Sequence, residues 1–191
     1  KYVGLSLTTW DAPTVRGDAM VTRSGLEGGP VYALGSAIRD AVDTDGRCGL
    51  AIDLHPDLTV AALAERLLRR RAKESTSTWL RRAIGLAPVS IGLLREATAG
   101  DLQSDTGALA ALVKAVPVLV SAVMPIDRAI STAGGIAWSE VDDALMLRRL
   151  PGTFVAGEML DWEAPTGGYL LQGSFSTGVA AARGALAWLD R

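Results

Sequence analysis

The sequence predicts an α+β fold, and three observations predict it. Short runs with β-branched residues and partial alternation open the chain, separated by turn-forming residues. From Leu58 to Val116 the spacing of apolar residues turns helical. Past Pro117 β-rich and glycine-bearing text returns and ends in an apolar run, a double-glycine loop and an alanine-rich stretch. That order is strands, a helical insert, strands, and a strand-loop-helix ending, which is not a regular βαβ repeat.

Taken in order, Tyr2 to Thr9 and Asp18 to Arg23 read as strands, with Asp11-Ala12-Pro13 and Gly17 as turn chemistry between them. Gly25-Leu26-Glu27-Gly28-Gly29-Pro30 reads as a break. Val31, Leu34, Ile38 and Val42 then fall at spacings of three and four, the pattern of one buried helix face, although Gly35 weakens it. Gly49 to Leu54 is a strand that stops at His55-Pro56. Thr59 is placed to cap a helix entering Val60-Ala61-Ala62-Leu63, and Thr76 or Ser77 to cap one entering Trp79-Leu80. Further helices are expected over Val89 to Ala97 and Thr106 to Val116, with Pro88, Gly100-Asp101 and Pro117 as punctuation. Val118 to Met124 is a strand candidate, Ala133-Gly134-Gly135-Ile136 a tight turn, Thr153 to Leu160 a buried strand, and Gly173 to Leu189 a helix. Gly178, Ala181, Ala182 and Ala185 would let that last helix lie close against a sheet.

Composition narrows the function classes. With 191 residues, 49% of them apolar, the chain can bury a sizeable core. A formal charge of -2 gives no general attraction to phosphate backbones or anionic lipids, so neither nucleic acid nor a membrane is expected as partner. One cysteine, Cys48, excludes an internal disulfide framework, and one histidine, His55, removes the usual two-histidine metal sites. No metal ligand set is expected, and the cysteine usage fits a reducing cytoplasm. Lys1-Tyr2-Val3-Gly4 has no initiator methionine and no apolar signal core, and the richest apolar run, Val116 to Met124, is about half the ~20 residues of a membrane span. The chain therefore reads as a soluble piece of something longer.

The residues that point to chemistry lie near the end. Phe154 to Leu160 is an apolar run with Glu158 in it and Asp161 just after. Next come Thr166-Gly167-Gly168-Tyr169-Leu170-Leu171-Gln172 and a helix. If Glu158 ends a strand, it lies where α/β sheets place ligands. The two glycines let backbone approach a flat ligand without Cβ interference. A helix N-terminus beyond them offers unpaired N–H groups and a positive dipole end, which favour a negative group.

Thr132-Ala133-Gly134-Gly135-Ile136, the run from Gly152 through Gly157-Glu158 to Asp161, and Thr166 to Gln172 together resemble the C-terminal signature of bacterial NAD(P)/FAD-dependent flavoproteins. The aminoacetone-oxidase-like and bile-acid-dehydroxylation-flavoprotein-like oxidoreductases belong to that group. Upstream, Gly17 to Pro30 is similar to a motif in the family's inserted domain, so the resemblance covers essentially the whole chain.

That resemblance implies a Rossmann-like FAD-binding domain split by an inserted region with a β-barrel-like part and a helical part. Residues 1–125 would be the insert, with strands over 1–55, a helical part over 57–116 and a returning strand over 117–125. Residues 126–191 would be the C-terminal segment of the FAD-binding domain. It further implies cofactor contacts from Gly134, Gly135, Gly157, Glu158, Thr166, Gly167, Gly168, Tyr169, Leu170 and Gln172. Glu158 would bind the ribityl or pyrophosphate region, the backbone of Gly167 to Tyr169 would approach the flavin ring, and the helix beginning near Gln172 or Gly173 would stabilise charge near N1 and C2=O. The intact parent would move a hydride between a small organic substrate and FAD, with NAD(P)H as a further candidate partner. No side chain here stands out as an acid-base catalyst.

Two departures limit the transfer. Leu170 stands where the family's commonest pattern has asparagine, which removes a side-chain hydrogen bond but leaves the backbone role. No G-x-G-x-x-G follows an early strand, so the pyrophosphate cradle is missing and FAD is expected to be absent from the chain on its own. A different class of function, an isolated binding or interaction module without redox turnover, is therefore carried as the alternative.

Other residues have plainer readings. Arg66 to Arg71 with Arg81-Arg82 reads as a solvated helix face rather than a phosphate-binding patch, since no aromatic platform is interleaved. His55 is read as structural, Cys48 as a buried small hydrophobe, and the five tryptophans mainly as packing. Trp162, close in sequence to the glycine loop, is read equally as a pocket wall or as packing.

Overall fold

A computed structural model describes residues 2–102, 105–129, 131–164 and 167–190. The chain divides into two compact units, Lys1–Val123 and Met124–Arg191.

The first unit is built on five strands: β1 (Tyr2–Leu7), β2 (Val15–Thr22), β3 (Gly25–Gly28), β4 (Cys48–Asp53) and β5 (Val116–Val120). They pair antiparallel in the order β3-β2-β1-β4-β5, an open sheet whose edges are β3 and β5. Period-two alternation turns Val3, Leu5 and Leu7 of β1, and Cys48, Leu50 and Ile52 of β4, into the core. Leu5 stands opposite Ile52, and Leu7 opposite Leu50.

The segment expected to be a break, from Gly25, is in fact β3. Thr22 pairs with Gly25 across the two-residue turn Arg23-Ser24, and the Thr22 hydroxyl accepts from the Ser24 amide at 3.2 Å. The glycines serve the strand here: a Cβ on Gly28 would overlap the Asp18 carbonyl oxygen of β2, and its φ of 119° excludes most other residues. β5 begins at Val116 and ends at Val120, earlier at both ends than expected. Pro117 lies inside it because an edge strand can spare an amide donor.

The helices are α1 (Gly29–Ala33), α2 (Gly35–Asp45), α3 (Val60–Leu67), α4 (Thr76–Ile84), α5 (Pro88–Ala97) and α6 (Thr106–Lys114). The single helix expected over 31–42 is interrupted at Leu34, whose φ and ψ of -98° and 5° are not helical. Thr59 caps α3 by accepting from the Ala62 amide at 3.2 Å. The cap of α4 is Ser75, one residue before the expected pair; its hydroxyl accepts from the Thr78 amide at 3.2 Å. Asp105 caps α6. Apolar faces of these helices bury Leu63, Leu67, Trp79, Leu80, Leu94, Leu109 and Val113 in one cluster with Leu5 and Leu50.

Polar side chains tie loops to this core. The His55 Nε2–H donates to the Ile84 carbonyl at 2.6 Å, which fixes that tautomer. Lys114 Nζ donates to the His55 carbonyl at 3.0 Å and lies 2.6 Å from Asp53 Oδ2. His55 is thus a latch between β4 and α4, in keeping with a structural role. Cys48 is fully buried in β4, and burial pushes its thiol pKa up.

The arginine run leaves the helix after Leu67, so Arg69 to Arg71 lie in the loop before α4 rather than on a helix face. Glu74 organises this loop. It accepts two bonds from Arg82, each 2.8 Å, and one from the Arg71 amide at 3.2 Å. Arg70 stacks over Trp79 at 4.7 Å. Hydrogen bonding from Arg82 is the chief reason that the Glu74 carboxyl is held at about 2, below its ordinary 4.5. A depressed carboxyl pKa contributes stability above the unfolded value and loses it as pH falls through the folded value. Urea midpoints are therefore expected to drop between pH 4.5 and about 2, and Glu74→Gln to flatten that part of the profile.

The second unit holds one long helix, α7 (Tyr169–Leu189), and irregular chain packed on it. Its small core is Val141, Leu145, Val155, Leu160 and Ala181. Thr153 to Leu160 is not a strand. Phe154 makes one bridge to Met146 and Leu160 one parallel bridge to Ile136, and between them Gly157 takes a φ of 71° and turns the chain through a 3-10 turn, Gly157–Met159. An apolar run broken by a left-handed residue cannot stay extended. Among the described residues, no helix is long and apolar enough to cross a membrane.

Candidate functional site

The sequence-predicted cofactor residues lie in the second unit, on three pieces of chain. The first carries Gly134 and Gly135. Ile136 donates to the Met159 carbonyl at 2.8 Å, and Asp161 donates back to Ile136 at 2.9 Å, a short parallel ladder. Gly135 lies so close to this partner that an added Cβ would fall 2.7 Å from the Leu160 carbonyl carbon. The Trp138 indole N–H closes the other side by donating to the Asp161 carbonyl at 2.9 Å.

The second piece is the turn Gly157–Met159. Its Gly157 amide donates to Thr177 Oγ1 at 2.9 Å, and that hydroxyl donates in turn to the Gly173 carbonyl at 2.7 Å. This clamp seats the turn on α7. Glu158 is exposed on the turn rather than standing at the end of a strand. The sequence reading overlooked Thr177. Its only sequence signal is a hydroxyl on the face of α7 that also carries Gly173, Ala181 and Gly184.

The third piece is the entry to α7. Gly167 and Gly168 have φ of 110° and 82°, and α7 starts at Tyr169, four residues before the expected Gly173. Tyr169, Leu170 and Gln172 are therefore helical residues, and the loop is shorter than its sequence suggested. Thr166, with Pro165 before it, lies outside the described residues. Gly168 at the cap position has no side chain to accept a bond from the first-turn amides of α7. An added Cβ on Gly168 would meet nothing within 4 Å, so the backbone there faces open space. Tyr169 is well exposed, Leu170 half-buried, and Gln172 exposed with its amide nitrogen donating to Ser176 Oγ at 3.2 Å.

The remaining face of α7 is set by close approach. A Cβ on Gly173 would overlap the Trp162 ring, so Trp162 packs closely against the helix at this glycine. A Cβ on Gly184 would fall 2.6 Å from the Ala144 carbonyl oxygen and 3.1 Å from the Phe154 ring. Of the small residues expected to face a sheet, Ala181 is buried while Ala182 is exposed. Within the second unit, α7 packs on the 3-10 turn and the loops around it.

The electrostatic character follows from these pieces. A 21-residue helix without an N-terminal capping side chain or an acidic residue in its first turn presents a positive end beside an exposed double-glycine backbone. Such an end can hold a negative or carbonyl-bearing edge of a flat group.

In a comparison with protein families, the model of the HI0933-like protein Rossmann domain matches residues 12–184, which include most of both units. The chain belongs to the HI0933-like Rossmann-domain family.

Proposed function

We propose that this chain is the part of an FAD-dependent oxidoreductase that contains its inserted domain and the C-terminal segment of its FAD-binding domain. Membership of a Rossmann-like, FAD-binding family supports the cofactor class. The observation that carries the reading is the Gly168 backbone at the start of α7, where an added Cβ would meet no described atom within 4 Å. That opening fits the edge of a flat ring with acceptor atoms. When bound, the flavin would supply hydride transfer to or from a small organic substrate, with NAD(P)H as a candidate second substrate.

The residues of the chain bind and orient. Gly167 and Gly168 admit the ring edge, and the first-turn amides of Tyr169 and Leu170 donate toward its oxygen and nitrogen acceptors. Leu170, in place of asparagine, contributes through its backbone. Glu158, exposed on its clamped turn, is available to a ribityl hydroxyl, and Gly135 holds the neighbouring ladder close. The half-site lacks a phosphate-binding glycine loop, so affinity of the 191-residue chain for free FAD is low.

Adding FAD to the purified chain is expected to shift its thermal midpoint by less than about a degree. A ligand at 100-fold its Kd would add roughly 2.7 kcal/mol and move the midpoint by several degrees. A shift of that size would show a complete site within these residues. A longer form that supplies the glycine loop is expected to purify yellow. A colourless one would favour the non-catalytic module.

A further inference from the structure

Arg81 and Arg82 are adjacent in α4 but meet different surroundings. Arg82 is committed to Glu74 and to the Arg69 carbonyl at 2.6 Å. Arg81 instead lines a cleft of about 240 Å³ between α4 and α5, together with Ser77, Pro88, Ile91, Gly92 and Arg95. Ser77 and Arg81 are four residues apart and share one face of α4, and Ile91 and Arg95 share one face of α5 by the same spacing. The Arg95 guanidinium donates to Ser77 Oγ at 2.8 Å, so the serine positions that arginine and its own O–H remains a donor for a group in the cleft.

The charge in this cleft is one-sided. No Asp or Glu stands three or four positions from either arginine in its helix. Among the described residues neither is ion-paired, and no acidic side chain lines the cleft. Like charges that face one cleft repel, and an anion between them relieves the repulsion. Gly92 adds a second observation. It lies inside α5, where glycine weakens a helix, and no neighbour requires it: an added Cβ would meet nothing within 4 Å. Its effect is to leave the cleft wall bare beside Arg95.

We propose that this cleft binds a small phosphate monoester, with the phosphate between the Arg81 and Arg95 guanidiniums, the Ser77 hydroxyl as a third donor, and the organic part against Pro88 and Ile91. Guanidinium forks match phosphate oxygens in pairs, and the positive end of α4, where Ser77 lies in the first turn, adds to their field. Since ~150 Å³ holds benzene, a cleft of this size has room for a phosphate and about one ring. The inference is independent of the flavin reading, because every lining residue lies in the first unit.

Phenyl phosphate, inorganic phosphate and phenol test it, each titrated into the isotope-labelled chain at low ionic strength and followed by NMR. Phenyl phosphate is expected to shift the Ser77 and Gly92 amides and the Arg81 and Arg95 Nε–H signals saturably, and to bind about threefold or more tightly than inorganic phosphate. Phenol should give no saturable shift. Arg81→Gln and Arg95→Gln should each weaken phenyl phosphate about tenfold or more, as loss of a charge-assisted hydrogen bond requires, with amide spectra elsewhere unchanged. Arg47→Gln removes the same charge from an exposed loop position that does not line the cleft, and should change affinity less than about twofold. Gly92→Leu should block the ester while leaving the chain at least as stable, since its side chain enters open space and leucine favours a helix. Four results would each overturn the proposal: no saturable shift at the cleft, inorganic phosphate binding as tightly as the ester, Arg47→Gln weakening the ester as much as Arg81→Gln does, or undiminished binding in Gly92→Leu.

Discussion

In a protein carrying both parts of the dinucleotide site, Gly168→Val is expected to lose flavin far more severely than Glu158→Gln. Gly168 holds φ at 82°, where a β-branched side chain costs about 1–2 kcal/mol. Its Cβ direction is open, so the two valine methyls would occupy the space proposed for the ring edge. Strain and displacement act together, and a loss of a hundredfold or more in affinity follows from about 3 kcal/mol. Glu158 sits exposed on the Gly157–Met159 turn, so the amide leaves the fold intact. Glutamine keeps one acceptor oxygen, and the loss should be near tenfold, from ~1–2 kcal/mol. Flavin content and Kd of both variants, measured in one buffer, decide the matter. A Gly168→Val protein that keeps its flavin would reduce the glycine pair to an ordinary turn.

The largest effect on stability is expected from Gly184→Val. The Ala144 carbonyl oxygen stands 2.6 Å from the position of an added Cβ, and both Ala144 Cβ and the Phe154 ring lie within 3.1 Å of it. None of these is the far end of a flexible side chain, so α7 itself would have to move away from the core of the second unit. Overpacking of this kind costs roughly 1–3 kcal/mol or more, and in a core of five buried side chains little else compensates. Amide exchange of Val155, Leu160 and Ala181 should accelerate at least tenfold. The neighbouring substitution Gly178→Ala is the control, because its Cβ would meet nothing within 4 Å and alanine favours the helix. Equal exchange in the two variants would mean that α7 packs differently.

The contrast between those glycines shows how far the sequence could be read. Helices α3 to α6 were legible because apolar spacing and punctuating prolines and glycines point the same way, and Thr59 caps α3 where its sequence position suggests. β3 was not, since its glycines have the composition of a turn and only pairing with β2 reveals why they are required. The extended reading of 153–160 failed at one residue: Gly157 is compatible with a strand in composition, and its left-handed φ is imposed by the Thr177 clamp twenty positions away. For the candidate site, the Gly167-Gly168 pair and the following helix were visible in the text, whereas the true helix start and the exposure of Glu158 depend on tertiary contacts. Local chemistry marks where backbone is special. It does not say which partner makes it so.

Cys48 is the sole thiol of the chain, and it is sealed in β4. A reagent that modifies only exposed thiolates can reach it only when the first unit opens, and its raised pKa slows any reaction further at neutral pH. The molecule thus carries its own single-site clock. Under conditions where reclosing outpaces modification, the labelling rate reports the opening free energy of the first unit alone, because the second unit contains no cysteine to contribute. Variants of α7 can then be sorted without any engineered probe: those that leave the labelling rate unchanged disturb only the helix and its surroundings, and those that speed it have loosened the five-stranded sheet as well.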